Sequence, residues 1–281
     1  MSDLHAINDA INKRAGRKLL PSIATSLSLM AGVWALLKYF PAGFAALVAL
    51  ALVLAIKELA HAFSSTDTYV SKRSFMLASI GLSAGAWIAG IRGLAIGLAI
   101  SLVLMLVLLL RRGTQGFVAS ASASVFALVY LPFLTGFLIL LARPFNGLAQ
   151  IMVFVILVAS NDTFAYVTGV LIGKHPMAPT ISPKKTWEGL AGSIIFTTAL
   201  GYISFDGILN LSPWVGAATG LLIVFTATTG DLIESAIKRD FAIKDMGNLL
   251  PGHGGVMDRL DSIVTSAPAL WLVLELVKYY S

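Results

Sequence analysis

Cysteine is absent from the 281 residues, so disulfides, thiolate nucleophiles and cysteine-bound zinc or iron–sulfur centres are excluded. Charge is scarce as well. Asp, Glu, Lys and Arg make up 12% of the chain, against 57% hydrophobic residues and a mean hydropathy of +0.86. A water-soluble core wrapped in a polar skin cannot be made from that mixture, and an integral membrane protein is the class that remains. The net charge is +6, yet the basic residues are dispersed between apolar runs without clustered exposed aromatics. That pattern argues against a nucleic-acid-binding face and suits orientation in a membrane. No internal repeat and no low-complexity linker is evident, so one membrane domain, 1–281, is expected and an inverted-repeat transporter is disfavoured.

A bilayer-crossing helix needs roughly 20 mostly apolar residues, and about nine such segments fit the sequence: 19–40, 42–63, 75–91, 93–110, 117–142, 148–172, 187–205, 213–233 and 263–280. An all-α, polytopic fold follows, with an N-terminal helical part over about 19–142 and a catalytic part over about 148–281. Pro132 is expected to kink the fifth segment or divide it. The first segment follows Lys13, Arg14, Arg17 and Lys18 like a signal peptide, but its long apolar run and the lack of a cleavage site make it a retained helix. Most basic residues fall in alternate loops: the N-terminal four, Lys72 and Arg73, Arg111 and Arg112, Lys174, Lys184 and Lys185, then Lys238, Arg239, Lys244 and Arg259. Lys38, Arg92, Arg143 and Lys278 mark the other side. The positive-inside rule then puts the N-terminus and the loops 173–186 and 231–262 in the cytosol, and the C-terminus across the membrane. An inner or plasma membrane location with a cytosol-facing site is expected.

Ionisable chemistry is concentrated between Asp231 and Asp261. Asp231, Glu234, Ser235 and Lys238 are spaced i, i+3, i+4, i+7 and share a face if their helix extends into the cytosol. Beyond Lys244 and Asp245, the run Leu250-Pro251-Gly252-His253-Gly254-Gly255 offers backbone amides that could cradle phosphate oxygens. Asp258 and Asp261 follow at a helix start. Capping accounts for one of them, and two with Arg259 between exceed what capping requires. Carboxylates gathered from adjacent helices repel unless a cation neutralises them, and magnesium suits such an oxygen site with phosphate present. Asn161 and Asp162 lie within the sixth segment, Asp162 about 15 Å from its cytosolic end. An aspartate at that depth costs about 3 kcal/mol or more unless it is paired, metal-bound or facing water. Ser182, Lys184 and Lys185 precede Thr186 at a helix start, a plausible anion site. Lys57, Glu58 and His61 divide evenly between lining the same cavity and forming a structural ion pair, and His5 and His175 have no assignable context.

The stretch from Ser235 to Asp261, with S-x-I-K-R, K-D-x-G and L-P-G-H-G-G-x-x-D-R-x-D, resembles the signature of the phosphatidate cytidylyltransferase (CDP-diacylglycerol synthase) family. The run from Asn161 to Tyr166 and that from Ser182 to Gly189 look like further family elements. Gly192-Ser193 departs from the two glycines of many members, and the N-terminal helices match only in being hydrophobic. The resemblance implies a nucleotidyltransferase that converts CTP and phosphatidic acid to CDP-diacylglycerol and pyrophosphate. It implies Mg2+, with room for a second cation such as K+, and leaves a homodimer open. Asp231 and Asp258 are then the expected principal metal ligands, with Asp162 and Asp261 as further ones. Lys238, Arg239, Lys184, Lys185 and Arg259 would bind phosphates, and Ser235 and His253 would orient them. Asn161, Ser182, Lys244, Asp245, Gly252, Gly254 and Gly255 complete the expected substrate contacts. A CTP-dependent polyprenol or dolichol kinase and a CDP-archaeol-type synthase are alternatives of related chemistry. A cation transporter would leave the glycine-rich loop and the cytosolic lysines unexplained.

Overall fold

The computed structural model describes residues 19–63, 68–247 and 255–280. Helix dominates because in a bilayer each backbone N–H and C=O needs an internal partner. Eight helices are described: α1 (Leu19–Tyr39), α2 (Pro41–Phe63), α3 (Lys72–Leu110), α4 (Phe117–Ala142), α5 (Gly147–Ile172), α6 (Trp187–Leu209), α7 (Pro213–Asp240) and α8 (Met257–Tyr280). Seven of them, α2 to α8, are long and apolar enough to cross a membrane among the described residues.

Helix α3, at 39 residues, is not one rod. Gly90 sits at φ 64°, ψ −144° inside it, a backbone conformation that glycine adopts without strain. Gly85 and Gly93 meet back to back, and Gly97 lies against Leu82. In a straight helix residues 82 and 97 would be about 22 Å apart. The two limbs therefore run antiparallel around Gly90. Arg143 binds the turn, its Nε donating to Trp87 O at 2.8 Å and its Nη2 to Ile88 O at 3.3 Å.

Helix α4 is the most buried of the candidate spans. Pro132 does not divide it. A π-helical turn at Val129–Phe133 absorbs the missing N–H, and the helix continues to Ala142. Its far half packs against α8, where Phe137 and Trp271 meet at 5.2 Å. Helices α5 to α8 form a second layer joined by close backbone approaches. Gly201 of α6 and Gly216 of α7 touch each other's carbonyls, and Gly230 of α7 lies on the Asp261 carbonyl and Thr265 of α8. Small residues of this kind let membrane helices pack where apolar burial supplies no drive between them. Hydroxyl pairs add to the seams, Ser160 with Thr197 at 3.0 Å and Thr226 with Ser266 at 3.2 Å.

The loop expected at 173–186 is partly regular. Strand β1 (Pro176–Ala178) pairs antiparallel with β2 (Ser182–Thr186), with Pro176 opposite Thr186 and Ala178 opposite Ser182. Thr186 then caps α6, its hydroxyl accepting from Gly189 N at 3.1 Å.

Candidate active site

Helix α7 runs on to Asp240 rather than stopping near 233, so Asp231, Glu234, Ser235 and Lys238 do share a helical face. Helix α8 begins at Met257, which places Asp258 in its first turn and Asp261 one turn further. The contact at Gly230 brings these helices together at the level of Asp231 and Asp261. As a result one carboxylate oxygen from each of Asp231, Glu234 and Asp261 lies within 4.8 Å of the others.

The cations and amides around this triad are specific. Lys185, from β2, reaches Asp231 Oδ2 at 2.5 Å, and Ser235 Oγ donates to Asp231 Oδ1 at 3.4 Å. Lys238 bridges Glu234 Oε2 at 2.8 Å and Asp258 Oδ1 at 3.1 Å. Asp258 also accepts from Gly255 N at 2.7 Å and from Met246 N at 3.2 Å. Asp261 accepts from Ser262 N at 2.7 Å. Asp162 is exposed on α5, takes a bond from Asn161 Nδ2 at 3.1 Å, and has Asp261, Asp231 and Lys185 as its charged neighbours.

This arrangement departs from the sequence expectation at several points. Asp258, expected as a principal ligand beside Asp231, lies outside that three-carboxylate group and bonds to Lys238 and two backbone amides. A carboxylate at a helix start readily folds back onto nearby N–H groups. Glu234, noticed only for its place on the helix face, takes the position inside the triad. Arg239 is exposed and donates to Ile181 O at 3.3 Å, tying α7 to the hairpin. Lys184, Lys244, Asp245 and Arg259 are exposed at the rim, and Ser182 is part of the hairpin. Gly252, His253 and Gly254 lie outside the described residues. His175 pairs with Glu188 at 2.5 Å.

Among the described residues six buried side-chain polar atoms are left without a protein partner, and Glu234 Oε1 and Asn161 Oδ1 are two of them. Glu234 is 1% exposed. A buried carboxylate oxygen without a donor is costly by itself, and two acidic neighbours make the cost larger. A hard cation with oxygen ligands is what such a donor set suits. The neighbouring lysines and the exposed rim cations suit phosphate groups.

The class so defined is a helical membrane protein with an acidic, lysine-bordered cluster at the start of α8. Residues 22–277 match the family model of the Cytidylyltransferase family. Proteins named phosphatidate cytidylyltransferase from Mycobacterium bovis and Mycobacterium tuberculosis are each 38% identical to it over 280 residues, or 94% of this chain and 90% and 84% of theirs. One from Staphylococcus haemolyticus is 32% identical over 237 residues, covering 82% of this chain and 88% of its own. The chain belongs to the cytidylyltransferase family.

Proposed function

We propose that the chain is a phosphatidate cytidylyltransferase, an enzyme that makes CDP-diacylglycerol and pyrophosphate from CTP and phosphatidic acid. Relatives bearing that activity in their names, matched over nearly the whole chain, support it. The observation that carries the reading is the triad of Asp231, Glu234 and Asp261 with Lys185 and Lys238 against it. A lipid phosphate oxygen attacks the α-phosphorus of CTP, a new P–O bond forms, and the bond to the departing pyrophosphate breaks. The lipid phosphate is anionic at neutral pH, so the residues need to position and neutralise rather than remove a proton.

In this reading Asp231, Glu234 and Asp261 hold Mg2+, with Asp162 beside them and room for a second cation such as K+. Magnesium there would offset the negative charge of the triphosphate. Lys238 is held by Glu234 and Asp258 in a position to meet a phosphate, and Lys185 stands on the triad's other side. Lys184, Arg239, Lys244 and Arg259 draw the anionic substrates to the rim. We assign nine crossings, counting α1 and both limbs of α3, with the N-terminus and the site cytosolic. The distribution of basic residues supports that orientation. A cysteine at exposed Lys244 should label from the cytosolic side and one at exposed Lys278 from the opposite side, and labelling of both from one face would overturn it.

The deciding assay supplies the purified chain with phosphatidic acid and CTP labelled at either the α- or the γ-phosphate. The α-label should enter the lipid and the γ-label should leave as pyrophosphate. Transfer of the γ-label would make the chain a lipid kinase. Ether-linked and ester-linked acceptors in the same assay set the lipid preference.

A further inference from the structure

The family signature begins at α5, yet a carboxylate from α2 is built into the site. Glu58 is 8% exposed, and its two oxygens accept from Val256 N and Met257 N at 3.0 Å each, across 198 and 199 positions of chain. Those amides lie at the start of α8, where donors lack helical partners and the helix end is positive. Lys57 and His61, its neighbours on α2, are exposed where Glu58 is buried. The same Glu58 carboxylate packs against Gly247 and Gly255. A Cβ on either glycine would collide with it.

The backbone that surrounds Glu58 is also the backbone that holds Asp258. Met246 N and Gly255 N both donate to the Asp258 carboxylate, and Asp258 in turn binds Lys238. Capping α8 would require only a local Ser, Asp or Asn, and Gly255 and Val256 offer no such side chain. The acceptor comes instead from a helix near the other end of the chain.

We propose that Glu58 is a positioning residue for nucleotidyl transfer: by clamping 255–257 beside 246–247 it sets where Asp258, and through it Lys238, stand. The proposal rests on the reading of the chain as a phosphatidate cytidylyltransferase. It assigns the N-terminal helices a direct part in the site's geometry.

The test uses the full chain in detergent. Glu58→Gln keeps the size but turns one acceptor into a donor facing an N–H, and Glu58→Asp keeps the charge while drawing it back by one methylene. For each variant kcat, both KM values, the folded fraction and hydrogen exchange over 244–260 are measured. In Glu58→Gln, kcat should fall about tenfold or more while both KM values change by less than about twofold. Exchange at 255–257 should accelerate, and Glu58→Asp should recover part of both effects. Unchanged kcat in Glu58→Gln overturns the proposal, and so does a loss of activity that tracks the loss of folded protein in both variants. If the wild-type chain makes no CDP-lipid, the functional reading fails first and the proposal with it. An active wild type with an indifferent Glu58 overturns the proposal alone.

Discussion

Helices α2 to α4 and helices α5 to α8 differ in where their few charged residues meet. In the first group the polar contacts close on the backbone of their own unit. Ser79 Oγ donates to Phe75 O at 2.8 Å, and Arg143 satisfies the carbonyls of the Gly90 turn. In the second group some hydroxyls close on their own helix in the same way, as Thr219 does on Val215 O at 2.7 Å, but polar side chains from different helices also meet one another, and the acids of α7 and α8 stand against lysines. Polar groups in a hydrophobic protein are costly unless they close a backbone gap or do chemistry, and the acidic ones that meet between helices are gathered in the second group. Glu58 is the exception that crosses between them.

The largest effects should come from the acidic triad. Asp231→Asn, Glu234→Gln and Asp261→Asn are nearly isosteric, so folded protein should be recovered while turnover falls by about a hundredfold or more, the upper range for losing support of a metal site. Product assays on size-exclusion-purified protein check this. Asp258→Asn belongs with them, because it loosens both Lys238 and the loop amides. Wild-type turnover in any triad variant would remove that residue from the site. The counterpart in the first group is Gly93→Val, which would force apart the limbs of α3 at Gly85. It should lower the yield of folded protein and leave the specific activity of what folds close to wild type. A specific activity that falls with Gly93→Val would break the contrast.

A smaller effect is expected where packing and chemistry share one residue. Gly230→Ala places a methyl against the Asp261 carbonyl and the Thr265 hydroxyl. Overpacking of this kind costs about 1–3 kcal/mol, and here it also separates Asp231 from Asp261. Melting temperature and turnover should therefore both fall, unlike the pure activity loss of the triad variants. Retained turnover with a lowered melting temperature would show that the triad tolerates a shift of α7 against α8.

Much of this was legible in the sequence, for a physical reason. A carboxylate in an apolar chain has few structural excuses, so Asp162, Asp231, Asp258 and Asp261 stand out from the sequence alone. The spacing of Asp231, Glu234, Ser235 and Lys238 even gave the shared face, conditional on the helix extending. The geometry between helices was not legible. Glu234 joins Asp231 and Asp261 where Gly230 brings α7 against α8, and no local pattern encodes that distance. Glu58 carries no motif, and only the fold brings it to residues nearly 200 positions away. The hairpin at 176–186 is not legible because three-residue and five-residue strands leave too short a period to read.

The smallest predicted effect divides two adjacent lysines that the sequence treats as a pair. Alternation along β2 turns Lys185 onto Asp231 and leaves Lys184 exposed. Lys185 should then act with the triad, and Lys185→Gln should lower kcat. Lys184 can act only on a substrate that arrives at the rim. A solvent-screened cation contributes about 1 kcal/mol or less, so Lys184→Gln should raise the KM for CTP or phosphatidic acid by no more than about fivefold with kcat unchanged. The effect should shrink as salt is raised, because screening acts on exposed charges first. Equal kinetic defects in the two variants would mean that the hairpin delivers both lysines to the same phosphate, and the division between triad and rim would have to be redrawn.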